Sequence, residues 1–135
     1  MASIRKEILI AVAPQQVWDA MRDVGALHTR LVRGFVTDCR LDGDARVVTF
    51  ANGIVARELI VDVNDADRRV AWSAVGGRLT HHNASAQVFD EGDGGSRVVW
   101  FADLLPDAMA PAVEAMIEQG LAAMKATLER AEAAV

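Results

Sequence analysis

Residues 78–89 read RLTHHNASAQVF and set His81 beside His82 in a chain with three histidines. Histidine is the side chain whose unperturbed pKa lies near neutrality, so such a pair could bind a metal or move a proton. The spacing argues against a shared metal ion. The segment has strand character, and neighbouring side chains on a strand point to opposite faces. No cysteine or carboxylate stands two or four residues from either imidazole. A structural zinc site needs four ligands and a catalytic one three from the protein. No metal and no cofactor is expected.

Alternation within the segment separates the two rings. Thr80, His82, Ala84, Ala86 and Val88 form one row, small or apolar apart from His82, whereas His81, Asn83, Ser85 and Gln87 are all polar. The first row should look inward and the second toward solvent. His82 is then either a core histidine bonded to a backbone carbonyl or a water, or a ligand contact and candidate acid/base. On SRVVWFADLL the same test groups Val98, Trp100, Ala102 and Leu104, with Arg97, Val99, Phe101 and Asp103 opposite. On IVARELIVDV, Val55, Arg57, Leu59, Val61 and Val63 form an inward row, with Glu58 and Asp62 outward. Arg57 would be the one charge among aliphatics. A buried guanidinium needs a carboxylate, a ligand anion or ordered water, unless it lies near a strand end and reaches solvent. Trp72 also falls inward. With Met116 and Met124 from the last segment, Arg57, Trp72, His82 and Trp100 make the candidate binding set. Methionine suits an adaptable wall. Cys39 has no neighbour that would activate it and reads as a passive thiol.

These residues need a scaffold. SIRKEILIAV reads as an opening strand. In APQQVWDAMRDV, Pro14 suits a first helical turn, and Val17, Trp18 and Met21 share a helical face. ALHTRLV reads as a second short helix. Six strands follow with short connections, two of them marked by the hairpin signals Asp42-Gly43 and Asn52-Gly53. From about residue 107 to 132, Val113, Met116, Ile117, Leu121, Met124 and Leu128 recur at helical spacing. The expectation is an α+β fold in which a seven-stranded antiparallel sheet curls around one long helix. One helix cannot fill the concave side of so curled a sheet, so packing alone predicts a cavity between them.

The totals narrow the partners. The 135 residues fit one domain, residues 1–135, with 52% hydrophobic and 24% charged side chains, which is globular composition. A net charge of −5 and the lack of basic runs argue against nucleic acid. No stretch is apolar enough to span a bilayer, and the opening MASIRKEILIAV lacks an export signal. One cysteine excludes an internal disulfide. A cytoplasmic monomer or homodimer is expected.

Three phrases carry a family resemblance: APQQVWDAMRDV after the first strand, ARELIVDVNDADRRVAWS in the middle, and GDGGSRVVWFADLLPD before the last helix. Over nearly its whole length the chain resembles the START-like, birch-pollen-allergen-like (SRPBCC) superfamily, nearest to bacterial polyketide cyclase/dehydratase-type proteins. The resemblance implies a helix-grip fold with a ligand cavity. Its motifs mark strand ends and turns and imply no universal catalytic residue. Three functions follow as expectations. The first is binding of a small apolar or amphipathic molecule. The second is a cyclase/dehydratase-like enzyme with His82 as acid/base and Arg57 holding an enolate or carboxylate. The third is a protein-interaction role like that of the superfamily's chaperone activators.

Overall fold

In the computed structural model, which describes residues 1–134, β1 (Ala2–Ile10) is followed by helix α1 (Pro14–Met21) and a π-helical turn, Leu27–Leu31. Strands β2 (Val36–Asp42), β3 (Ala45–Phe50), β4 (Val55–Asn64), β5 (Arg69–Val75), β6 (His81–Asp90) and β7 (Ser96–Leu105) come next. A 3-10 turn, Asp107–Met109, leads into α2 (Ala110–Ala133). The seven strands pair antiparallel with their neighbours, in the order β1-β7-β6-β5-β4-β3-β2. The predicted α+β architecture is the one observed. The second short helix is reduced to the π-helical turn, and β6 begins three residues later than its sequence pattern suggested.

Hydrophobic alternation positions the sheet. Ile4 and Ile10 of β1, Val70 and Trp72 of β5, Ala84, Ala86 and Val88 of β6, and Val98, Ala102 and Leu104 of β7 are buried on the concave face. The helix answers with Val113, Ile117, Leu121, Met124 and Leu128 at three- and four-residue steps, all buried. At Gly120 the two layers come closest. A Cβ there would lie 2.8 Å from Trp100 Cζ3 and 3.3 Å from Phe35 Cε2, so the missing side chain is what admits the Trp100 ring. Met116 is half-buried against this core. Small outer-row residues are buried too: Ser85, expected toward water, sits between Phe101 and Ala71 and is 8% exposed.

Polar contacts fix the ends. Pro14 opens α1, whose buried Trp18 donates from Nε1 to Asp65 Oδ1 at 2.8 Å, while Arg22 Nε donates to the same oxygen at 2.8 Å. These bonds tie α1 to the β4–β5 turn. Along β1, Lys125 Nζ donates to the Leu9 carbonyl at 3.1 Å, and the Ala11 N–H donates to Glu129 Oε2 at 2.9 Å. Lys6 adds ion pairs to Glu114 and Glu118 at 2.8 and 3.1 Å, so α2 is strapped to the first strand.

Candidate functional site

Strand β4 decides which charge enters the interior. Up to Ile60 its inward residues are Ala56, Glu58 and Ile60, because Glu58 pairs with Arg46 and Ala74 while Ile60 pairs with Trp72. A bulge between Ile60 and Asp62 then inserts Val61 as an extra residue. Arg57 therefore lies on the convex face, with Val55 and Leu59. Its side chain is 44% exposed and Nη1 donates to Asp42 Oδ2 at 2.6 Å. The inward placement of Arg57 and the outward placement of Glu58 are both reversed.

The inward guanidinium is that of Arg46, on β3. Its Nε donates to Glu58 Oε1 at 2.8 Å, with the two side chains only 4% and 10% exposed. Nη1 donates to the Val24 carbonyl at 3.3 Å, and the guanidinium carbon stands 5.4 Å from the centre of the Trp72 ring. Trp72 in turn meets Trp100 edge-to-face at 5.6 Å. The concave face thus carries this buried ion pair beneath Trp72, with Trp100 against Trp72 and the Phe35–Phe50 pair on the same interior. Cys39 also reaches the Val24 carbonyl, at 3.6 Å, and burial pushes its thiol pKa up, as a passive thiol requires.

His82 stands in the same transverse row. Ala74 faces Glu58 across β4 and β5, and its N–H donates to His82 Nδ1 at 2.9 Å. The imidazole takes the place of a backbone acceptor, because β5 and β6 pair only from Arg69↔Gln87 to Trp72↔Ala84. The Ser73 hydroxyl donates to the His82 carbonyl. Since Nδ1 accepts, the neutral ring carries its proton on Nε2. Burial, then the neighbouring His81, lower the His82 pKa, so the ring stays neutral at mildly acidic pH where a free imidazole is already protonated. The bonding partner is a backbone N–H rather than the carbonyl or water expected. His81 is exposed, as its row predicted.

Of the six sequence-derived site residues, the fold brings Trp72, Trp100, His82 and buried Met124 onto the interior, places Met116 at its margin and turns Arg57 away. Arg46 and Glu58 escaped sequence reasoning. A two-residue turn at Asn52-Gly53 would have set Arg46 opposite Leu59. The loop instead closes through Phe50 and Ile54, with Gly53 at φ 90°, which moves Glu58 opposite Arg46. Among the described residues no group of three or more His, Cys, Asp or Glu side chains could hold a metal ion.

A curled antiparallel sheet gripping a C-terminal helix, with short helices after the first strand, is the helix-grip architecture of SRPBCC-type proteins. The chain belongs to the family described as polyketide cyclase / dehydrase and lipid transport, whose pattern matches residues 1–129. No curated protein matches it in sequence. Among solved structures, it is similar to an uncharacterised Bacillus thuringiensis protein at 20% identity and TM-score 0.84, covering 94% of this chain and 98% of that one. It is similar to BexL, a di-domain ARO/CYC of the BE-7585A biosynthetic pathway, at 14% identity and TM-score 0.82, covering 96% of this chain and 47% of BexL. It is also similar to a Thalictrum flavum norcoclaurine synthase point mutant in complex with a transition-state analogue, at 20% identity and TM-score 0.71, covering 96% and 92%. Among the described residues no helix is long and apolar enough to cross a membrane.

Proposed function

We propose that this protein is a cytoplasmic small-molecule binder, a single domain that holds a largely apolar ligand between sheet and α2 with its polar end at Arg46 and Glu58. The buried ion pair carries the reading. Desolvating two charges costs several kcal/mol, and apolar residues of the same volume usually stabilise a fold as well or better. A pair kept this deeply buried among the apolar side chains of the concave face, under Trp72, is accounted for by recognition of a ligand oxygen or anion. Family membership supports the same class of ligand. Met116 and Met124 supply the adaptable part of the wall.

A cyclase- or dehydratase-like reaction is the second reading, favoured by the carboxylate and imidazole that Glu58 and His82 set in one transverse row. Glu58 suits the base there, since His82 has committed Nδ1 to Ala74.

The test is titration with an anionic amphipathic fluorophore, anilinonaphthalene sulfonate, and native mass spectrometry of the purified protein. Saturable binding that weakens about tenfold to a hundredfold in the Arg46→Met/Glu58→Leu double variant, with the fold retained, is the expected result. Equal affinity in the two proteins would remove the ion pair from the site.

A further inference from the structure

A second site lies on the opposite side of the sheet, and we propose that it takes a small protonated amine bearing hydroxyl groups, an amino alcohol or amino sugar. Past Trp72↔Ala84 the ladder between β5 and β6 ends, although β5 continues to Val75 and β6 starts at His81. The strands part there, and a depression of about 430 Å³ forms between them and the end of β7. Ser73, Thr80, His81, Asn83 and Asp103 supply its polar side chains, and inward-facing His82 borders it. Asp103 sits between Ala102 and Leu104, both wholly buried on the concave face, so its carboxylate points to the convex one. Ser73, His81 and Asn83 share that outer row, so the depression opens on the face away from α2, with Ala74, Leu79 and His82 bordering it where the strands part.

Asp103 determines the ligand class. Four carboxylates are partly or fully buried among the described residues. Glu58 has Arg46, Glu114 has Lys6 and Glu129 has Lys125, whereas Asp103 has no hydrogen bond or ion pair there. The Met1 ammonium, at the rim, pairs with Asp107 at 3.4 Å instead. The side chains of Thr80, His81 and Asn83 likewise make no hydrogen bond among the described residues. A carboxylate half removed from water is stabilised by a cationic donor, and the neutral groups around it match hydroxyls. The volume falls at the small end of ordinary ligand sites, of monosaccharide rather than oligomer size. A net charge of −5 favours the approach of cations.

The experiment is a two-dimensional amide NMR titration with glucosamine as probe and glucose as its uncharged counterpart. Saturable shifts at the Asn83 and Asp103 amides are expected with glucosamine and not with glucose, and Asp103→Asn should weaken binding at least about tenfold. Asp103→Asn alters an outward side chain without partners, so its spectrum should otherwise match the wild type. No saturation at these amides, equal shifts with glucose, or unchanged affinity in Asp103→Asn would each overturn the proposal.

Discussion

Arg46 and Glu58 face each other across β3 and β4, Nε to Oε1 at 2.8 Å, on the side of the sheet that packs against α2. Neither can be removed alone without stranding the other. Glu58→Ala should destabilise the fold by about 3–5 kcal/mol, whereas Arg46→Met/Glu58→Leu should be neutral or stabilising by about 1–4 kcal/mol. Urea denaturation of both variants measures the difference. A single variant as stable as the double one would show that water reaches the pair.

Gly120→Ala sets two effects against each other. Alanine gains about 1 kcal/mol of helix propensity. Its Cβ, however, would press to 2.8 Å from Trp100 and 3.3 Å from Phe35, and overpacking costs about 1–3 kcal/mol. The net change should be destabilising, with altered tryptophan fluorescence as the Trp100 ring moves. A raised melting temperature with unchanged emission would mean that the ring yields freely.

The bond from Ala74 to His82 makes stability depend on pH. Above about pH 6.5 the ring is neutral in folded and unfolded chains, and the bond contributes fully. Below that value the unfolded chain takes up a proton that the folded ring resists, because burial lowers its pKa. Stability from this group is therefore lost as pH falls from about 6.5 toward the lower folded value. His82→Ala should cost about 1–3 kcal/mol near neutrality and less in mild acid. Denaturation curves at both pH values, wild type against variant, read this out; a constant difference would sink the assignment.

Arg57→Leu should leave ligand affinity unchanged and shift stability by no more than about 1 kcal/mol. Its pair with Asp42 is exposed on both sides, and surface ion pairs contribute little. Parallel titration and melting of this variant check both statements. A large loss of affinity would return Arg57 to the concave face.

Period and turn chemistry made most of this fold legible. The alternation in β6 and β7 carried real phase information, because polar residues occupied one row almost without exception; it placed His82, Trp100 and His81 correctly. Strand β4 offered no such contrast. Val55, Val61 and Val63 made the odd row look buried, yet Val55 and Val61 are 61% and 59% exposed. The bulge that inserts Val61 depends on how β4 meets β5, which no single strand records. Arg46 was hidden for a related reason: its partner depends on a loop one residue longer than the Asn52-Gly53 signal implies. Registers set by two strands together are the part that a pattern within one strand cannot hold.

The strapping of α2 to β1 has a consequence for self-association. Strand β1 is one rim of the sheet, and there Lys125 and Glu129 occupy the Leu9 carbonyl and the Ala11 N–H at its end, while Lys6 anchors the helix through Glu114 and Glu118. An incoming strand from another molecule must displace these contacts. The other rim is β2, which is bent by an irregularity between Val36 and Asp38 and carries Asp38, Arg40 and Asp42. A kinked, charged rim is a poor template for strand addition. Runaway sheet growth is thus hindered at both margins, by a bolted helix on one and by charge and curvature on the other.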